Sequence, residues 1–102
     1  MALINKESIH KCLKNGRHLE SEVNSNEYYM TRRKIIVLNK EKQVIKKIEL
    51  PQMENNERVI GFYDMYYDCG ELLVVISMRD YYDSKTILNE KTLELGALSP
   101  YK

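Results

Sequence analysis

From Tyr28 onward the hydrophobic pattern reads as β: short runs of apolar and β-branched residues, some alternating with polar ones, are separated by polar turns. "RRKIIVL" (32–38) is rich in β-branched residues and predicts a strand. "NKEKQ" (39–43) is a polar turn, and "VIKKIEL" (44–50) a second strand that ends at Pro51. In that strand Val44, Ile48 and Leu50 are expected on one face, with Lys46 as the exception, and Lys47 and Glu49 outward. "ERVIGFYDMY" (57–66) predicts a long strand in which Gly61 marks a bulge. "YDCG" (67–70) reads as the turn into "ELLVVISM" (71–78), which is apolar on both faces and therefore belongs inside a sheet covered on both sides. "RDYYD" (79–83) reads as a loop, and "SKTIL" (84–88), "NEKT" (89–92) and "LELGAL" (93–98) as a last hairpin. Upstream, "NKESIHKCLK" (5–14) predicts a short helix with Asn5 as N-cap, Ile9 and Leu13 on one face, and Asn15-Gly16 as its stop. "RHLESEV" (17–23) alternates weakly, as a strand would.

Two stretches resemble each other. "EYYMTRRKIIVLNKEKQVIKKIELP" and "DYYDSKTILNEKTLELGALSP" both open with an acidic residue and two tyrosines. Both pass through an aliphatic-Leu-Asn step, Val37-Leu38-Asn39 and Ile87-Leu88-Asn89, then a charged turn and a second strand, and both reach a proline, Pro51 and Pro100. The two leucines are 50 positions apart and the prolines 49, a period typical of propeller blades. The pattern looks like the outer hairpin of a blade in Kelch-like or WD-like propellers. Two such units cannot close a ring, since propellers typically have at least four blades. The expected fold is therefore mainly β: an antiparallel meander of six or seven strands, as a curved sheet or small sandwich with blade-like hairpins, and one short N-terminal helix packed on it. It is read as a single domain, 1–102, of two blade-like repeats over about 1–51 and 52–102.

Charge adds an asymmetry that the total hides. The net charge is only +1, which argues against direct binding of nucleic acid. From Arg32 to Leu50 there are seven basic and two acidic residues; from Pro51 to Ser84, two basic and seven acidic. Opposite signs on two segments suit electrostatic steering of a partner. The apolar fraction of 43% is that of a globular chain. No apolar run is long enough to span a bilayer, and "MALINKESIHKCLKNG" has no apolar core of a secretory signal. The chain is thus expected to be complete and cytoplasmic, with Cys12 and Cys69 as reduced thiols.

Catalytic signatures are missing. His10 and His18 lie in or beside the predicted helix, and with no second Cys/His cluster no zinc site is expected. Cys69 has Asp68 and Glu71 for neighbours, the wrong sign for an activated thiolate. The four glycines are isolated, so no phosphate-binding loop is present, and Ser77 lacks the context of a nucleophile elbow. The expectation is a protein that is not an enzyme and uses no cofactor.

What remains is "GFYDMYYDCGELLVVISMRDYYDS" (61–84), which carries Tyr-Tyr-Asp at both ends of its apolar run. Strict alternation would put Phe62, Asp64 and Tyr66 on one face and Tyr63, Met65 and Tyr67 on the other. The apolar strand separates the clusters by about 30 Å. Tyrosine supplies contact area at low entropic cost, and aspartate supplies charge on a short stem. The candidate partner-binding residues are Asp64, Tyr66, Tyr67, Asp68, Asp80, Tyr81, Tyr82 and Asp83; the same aspartates would also serve as turn formers.

In its size, Lys/Asn/Ile-rich composition, all-β pattern and polarised charge, the chain resembles the immunity proteins of bacterial polymorphic toxin systems, including contact-dependent growth inhibition pairs. The resemblance is of type and rests on no diagnostic motif. It implies a cytoplasmic toxin inhibitor, monomeric or homodimeric, that binds one cognate toxin domain, many of which are nucleases with basic clefts. The alternative is a standalone blade-like scaffold or sensing module that self-associates.

Overall fold

The computed structural model describes residues 17–51, 59–79 and 83–100, with the Pro100 side chain excepted. The helix expected over 5–14 lies outside them. Nine strands occur among the described residues, and no helix. They form two antiparallel sheets in two compact units, Met1–Glu49 and Leu50–Lys102.

The first sheet is a meander in chain order: β1 (Arg17–Glu20), β2 (Glu27–Met30), β3 (Lys34–Leu38) and β4 (Val44–Glu49). Polar side chains shape each connection. Ser21 Oγ accepts from the amides of Val23 and Asn24, both at 3.1 Å. Thr31 Oγ1 accepts from Lys34 N at 2.9 Å. Asn39 Oδ1 accepts from the amides of Glu41 and Gln43, both at 3.0 Å. Cross-strand pairing puts Tyr28 with Val37, and Met30 with Ile35, on one face. Tyr29 with Ile36, and Glu27 with Leu38, lie on the other. Both tyrosines are buried, and burying side chains of this size supplies about 1.5–3 kcal/mol each. One expectation is corrected here. Val44 and Ile48 lie on opposite faces, because a bulge between Val37 and Leu38 inserts Ile45 as an unpaired, exposed residue. Val44 packs with Tyr29 and Leu38, whereas Ile48 pairs with Ile35.

The second sheet runs β5 (Val59–Asp68), β6 (Glu71–Met78), β7 (Ser84–Asn89) and β8 (Glu94–Leu95). A further short strand, β9 (Ser99–Pro100), also pairs with β7. The last hairpin is thus less regular than "LELGAL" suggests: two short strands line the outer edge of β7. β6 lies inside the sheet as expected, and Leu72 through Ile76 are buried on both faces. Its turn from β5 is two residues long, not four. Cys69 and Gly70 have φ of 51° and 81°, the doubly left-handed turn that matches strand twist in tight hairpins. The β7–β8 turn repeats the β3–β4 device: Asn89 Oδ1 accepts from Lys91 N at 2.9 Å and Thr92 N at 3.1 Å. Both turns also place a residue at positive φ, Lys42 and Leu93.

Candidate functional site

Two bulges decide what β5 presents. The one expected at Gly61 falls between Val59 and Gly61; a second falls between Phe62 and Asp64. The second leaves Tyr63 as an extra residue, 61% exposed. An extra residue reverses the facing of everything beyond it. Phe62 therefore shares a face with Met65 and Tyr67, through their partners Ile76, Val74 and Leu72. Asp64, Tyr66 and Asp68 lie on the opposite face, paired with Val75, Leu73 and Glu71. This corrects the expectation that Phe62 faces with Asp64 and Tyr66.

Beyond the bulge the alternation is regular, and it separates Asp64 and Tyr66 from Tyr67 as expected. Asp64 and Tyr66 are half-buried and Asp68 is exposed, all on one face. Tyr67 is on the other face, where its hydroxyl donates to Glu90 Oε1 at 2.7 Å. Asp83 lies at the far end of β6, and its Oδ1 accepts from Met78 N at 3.4 Å. Asp80, Tyr81 and Tyr82 lie outside the described residues.

Asp68 and Glu71 are direct cross-strand partners beside the tight turn, both exposed. Like charges placed opposite one another are unfavourable in a sheet. Between them, Cys69 is exposed. Its thiol is pushed above the ordinary range, first by the hydrogen bond to Asp68 and then by the charge of that carboxylate, with Glu71 the smallest contributor. Such a thiol is a weak nucleophile. The two carboxylates border a hollow of about 330 Å³ whose lining also includes Leu73, Lys85, Ile87 and Ala97. Leu73 is buried and Ile87 is 41% exposed. The arrangement is a mixed hollow, with Leu73, Ile87 and Ala97 as its apolar part, Lys85 within its lining and the two carboxylates at its lip, held on paired strands. It suits a partner side chain that is apolar along its stem and cationic at its tip.

The first unit holds a group that the sequence reading did not single out. Glu27 is only 5% exposed. Its Oε2 accepts from Lys42 Nζ at 2.8 Å, and its Oε1 lies 3.7 Å from His18 Nε2. The His18 ring stacks on Tyr29, with centroids 4.4 Å apart. The signal in the sequence was the spacing of His18 and Glu20, two apart on a strand; what brought in Glu27 was the pairing of Glu20 with Glu27.

Comparison of the chain with protein-family models, with curated proteins and with solved structures finds no match. No helix among the described residues is long and apolar enough to cross a membrane.

Proposed function

We propose that this protein is a non-enzymatic binding module whose acidic second unit captures a basic protein partner. In the most specific form of this reading it is a cytoplasmic immunity protein that inhibits a cognate toxin domain. The observation that carries it is the acidic lip of Asp68 and Glu71 at a hollow that holds Leu73 and Ile87, with Asp64 and Tyr66 on the same face. A cationic side chain entering there relieves the repulsion between the two carboxylates and buries apolar stem on Leu73 and Ile87. Both effects favour binding, and the negative field of the second unit speeds encounter.

The test is capture from the host's own lysate at low salt, with wild type beside D68K/E71K. The expected result is one stoichiometric partner, with a basic catalytic domain, retained by wild type and lost by the double variant. Equal retention by both would remove this face from the interface.

A second reading is favoured by a separate observation. Residues 17–49 form a four-stranded antiparallel meander, and β5–β8 form another, which is the strand order of a propeller blade. On that reading the chain is a blade pair that self-associates as a scaffold or sensing module. It predicts a symmetric oligomer of at least two chains in sedimentation experiments, and no stoichiometric partner.

A further inference from the structure

We infer that His18, Glu20 and Glu27 form a binding site for a divalent transition-metal ion, with zinc the best match to the donor set. The inference concerns the first unit and is independent of the acidic lip. One ligand atom from each of the three residues lies within 4.8 Å of the others. His18 Nε2 and Glu27 Oε1 lie 3.7 Å apart. Tetrahedral zinc with bonds of about 2.0–2.1 Å sets its donors about 3.3 Å apart. The His18–Glu27 pair is thus near the spacing that the ion requires, and the group, within 4.8 Å, contracts onto it.

Strand geometry explains the convergence. His18 and Glu20 are two residues apart on β1 and share a face, and Glu20 is the direct cross-strand partner of Glu27. Two of the three ligands are already oriented. The His18 ring is held by its stack on Tyr29. The Glu27 carboxylate is buried and anchored through Oε2 by Lys42, which leaves Oε1 on the side of His18. Glu20 is exposed, so no packed core fixes its side chain away from the other two. A cation between Glu20 and Glu27 also offsets the repulsion of two carboxylates placed opposite each other.

The donor chemistry narrows the ion. Calcium and magnesium take six or more oxygens, whereas imidazole with carboxylates suits zinc and its neighbours. Three protein ligands leave a coordination position for water or for a donor from a bound partner.

The test is calorimetric titration of the chelator-treated full chain with zinc chloride, repeated for His18→Gln and Glu20→Gln. One equivalent should bind and raise the thermal midpoint. Each variant should lose affinity by about tenfold or more, since even indirect partners of metal ligands typically carry that much. Glu20 is exposed, so its variant keeps the test valid if His18→Gln fails to fold. No zinc binding by the wild type would overturn the inference. So would binding that is unchanged in Glu20→Gln, which would place the ion elsewhere.

Discussion

Replacing Asp68 by Lys should make the protein more stable and its partner binding weaker. Asp68 and Glu71 face each other directly across the β5–β6 ladder, next to the two-residue turn. Cross-strand charge pairs are worth roughly 0.2–1 kcal/mol, with the sign set by the charges. Both residues are exposed, so solvent screening holds the gain to the lower half of that range, about 0.5 kcal/mol. In a chain of this size that is a rise of about 2–4 °C in thermal midpoint. Glu71→Lys should give a similar rise. The double variant restores a like-charged pair, now positive, and should return close to the wild-type midpoint, so the two effects should fail to add. Partner capture should follow a different order: weakened by either single change and weakest in the double variant. The assay is differential scanning calorimetry of the four proteins at low salt, beside quantitative capture. A fall in midpoint for both single variants would refute the pairing argument, because neither residue would then be opposed by a like charge.

Other consequences follow from the same geometry. Leu88→Ala should cost about 2–5 kcal/mol in urea unfolding, because Leu88 is 2% exposed between Leu72 and Leu95. Ile87→Ala, one residue away but 41% exposed, should cost far less, and equal costs would mean that the β7 register is wrong. Gly70→Ala should lower stability by about 1–2 kcal/mol, because φ is +81° and no neighbour lies close enough for the lost freedom to be confused with a clash. The Cys69 thiol, raised by Asp68, should alkylate slowly near neutral pH and gain rate only above the ordinary thiol range. Asp68→Asn should move that rise to lower pH; an unchanged rate profile would contradict the assigned cause.

Much of the fold was legible because some stretches carry one unambiguous signal. The run from Leu72 to Ile76, apolar on both faces, could only be an interior strand. Asn39 and Asn89, each followed by charged residues, marked two turns in which the asparagine Oδ1 accepts from two amides further on, at i+2 and i+4 for Asn39 and at i+2 and i+3 for Asn89. The facing of β5 and β4 was not legible. A single extra residue, Tyr63 or Ile45, reverses the alternation, and its own identity as an apolar strand former conceals the break. The turn at Cys69-Gly70 was placed too wide, since cysteine is not the residue usually expected at positive φ. The candidate surface was legible as chemistry but not as one site. Asp64, Tyr66 and Asp68 share one face by plain alternation, and the bulge removes only Phe62 from it, while Tyr67 is turned toward Glu90 and Asp83 lies beyond the other end of β6. Glu27 could not be tied to His18 in advance, because their proximity depends on the β1–β2 register, set by the loop from Ser21 to Asn26.

The central claim is that an acidic surface on the second unit carries partner binding. It is tested most directly by the dissociation constant of the captured partner, measured calorimetrically across rising salt for wild type and D68K/E71K. The account predicts that wild-type affinity falls steadily as salt screens the carboxylates, and that the double variant binds weakly at every salt concentration. An affinity that is indifferent to salt, or the same for both proteins, would contradict it.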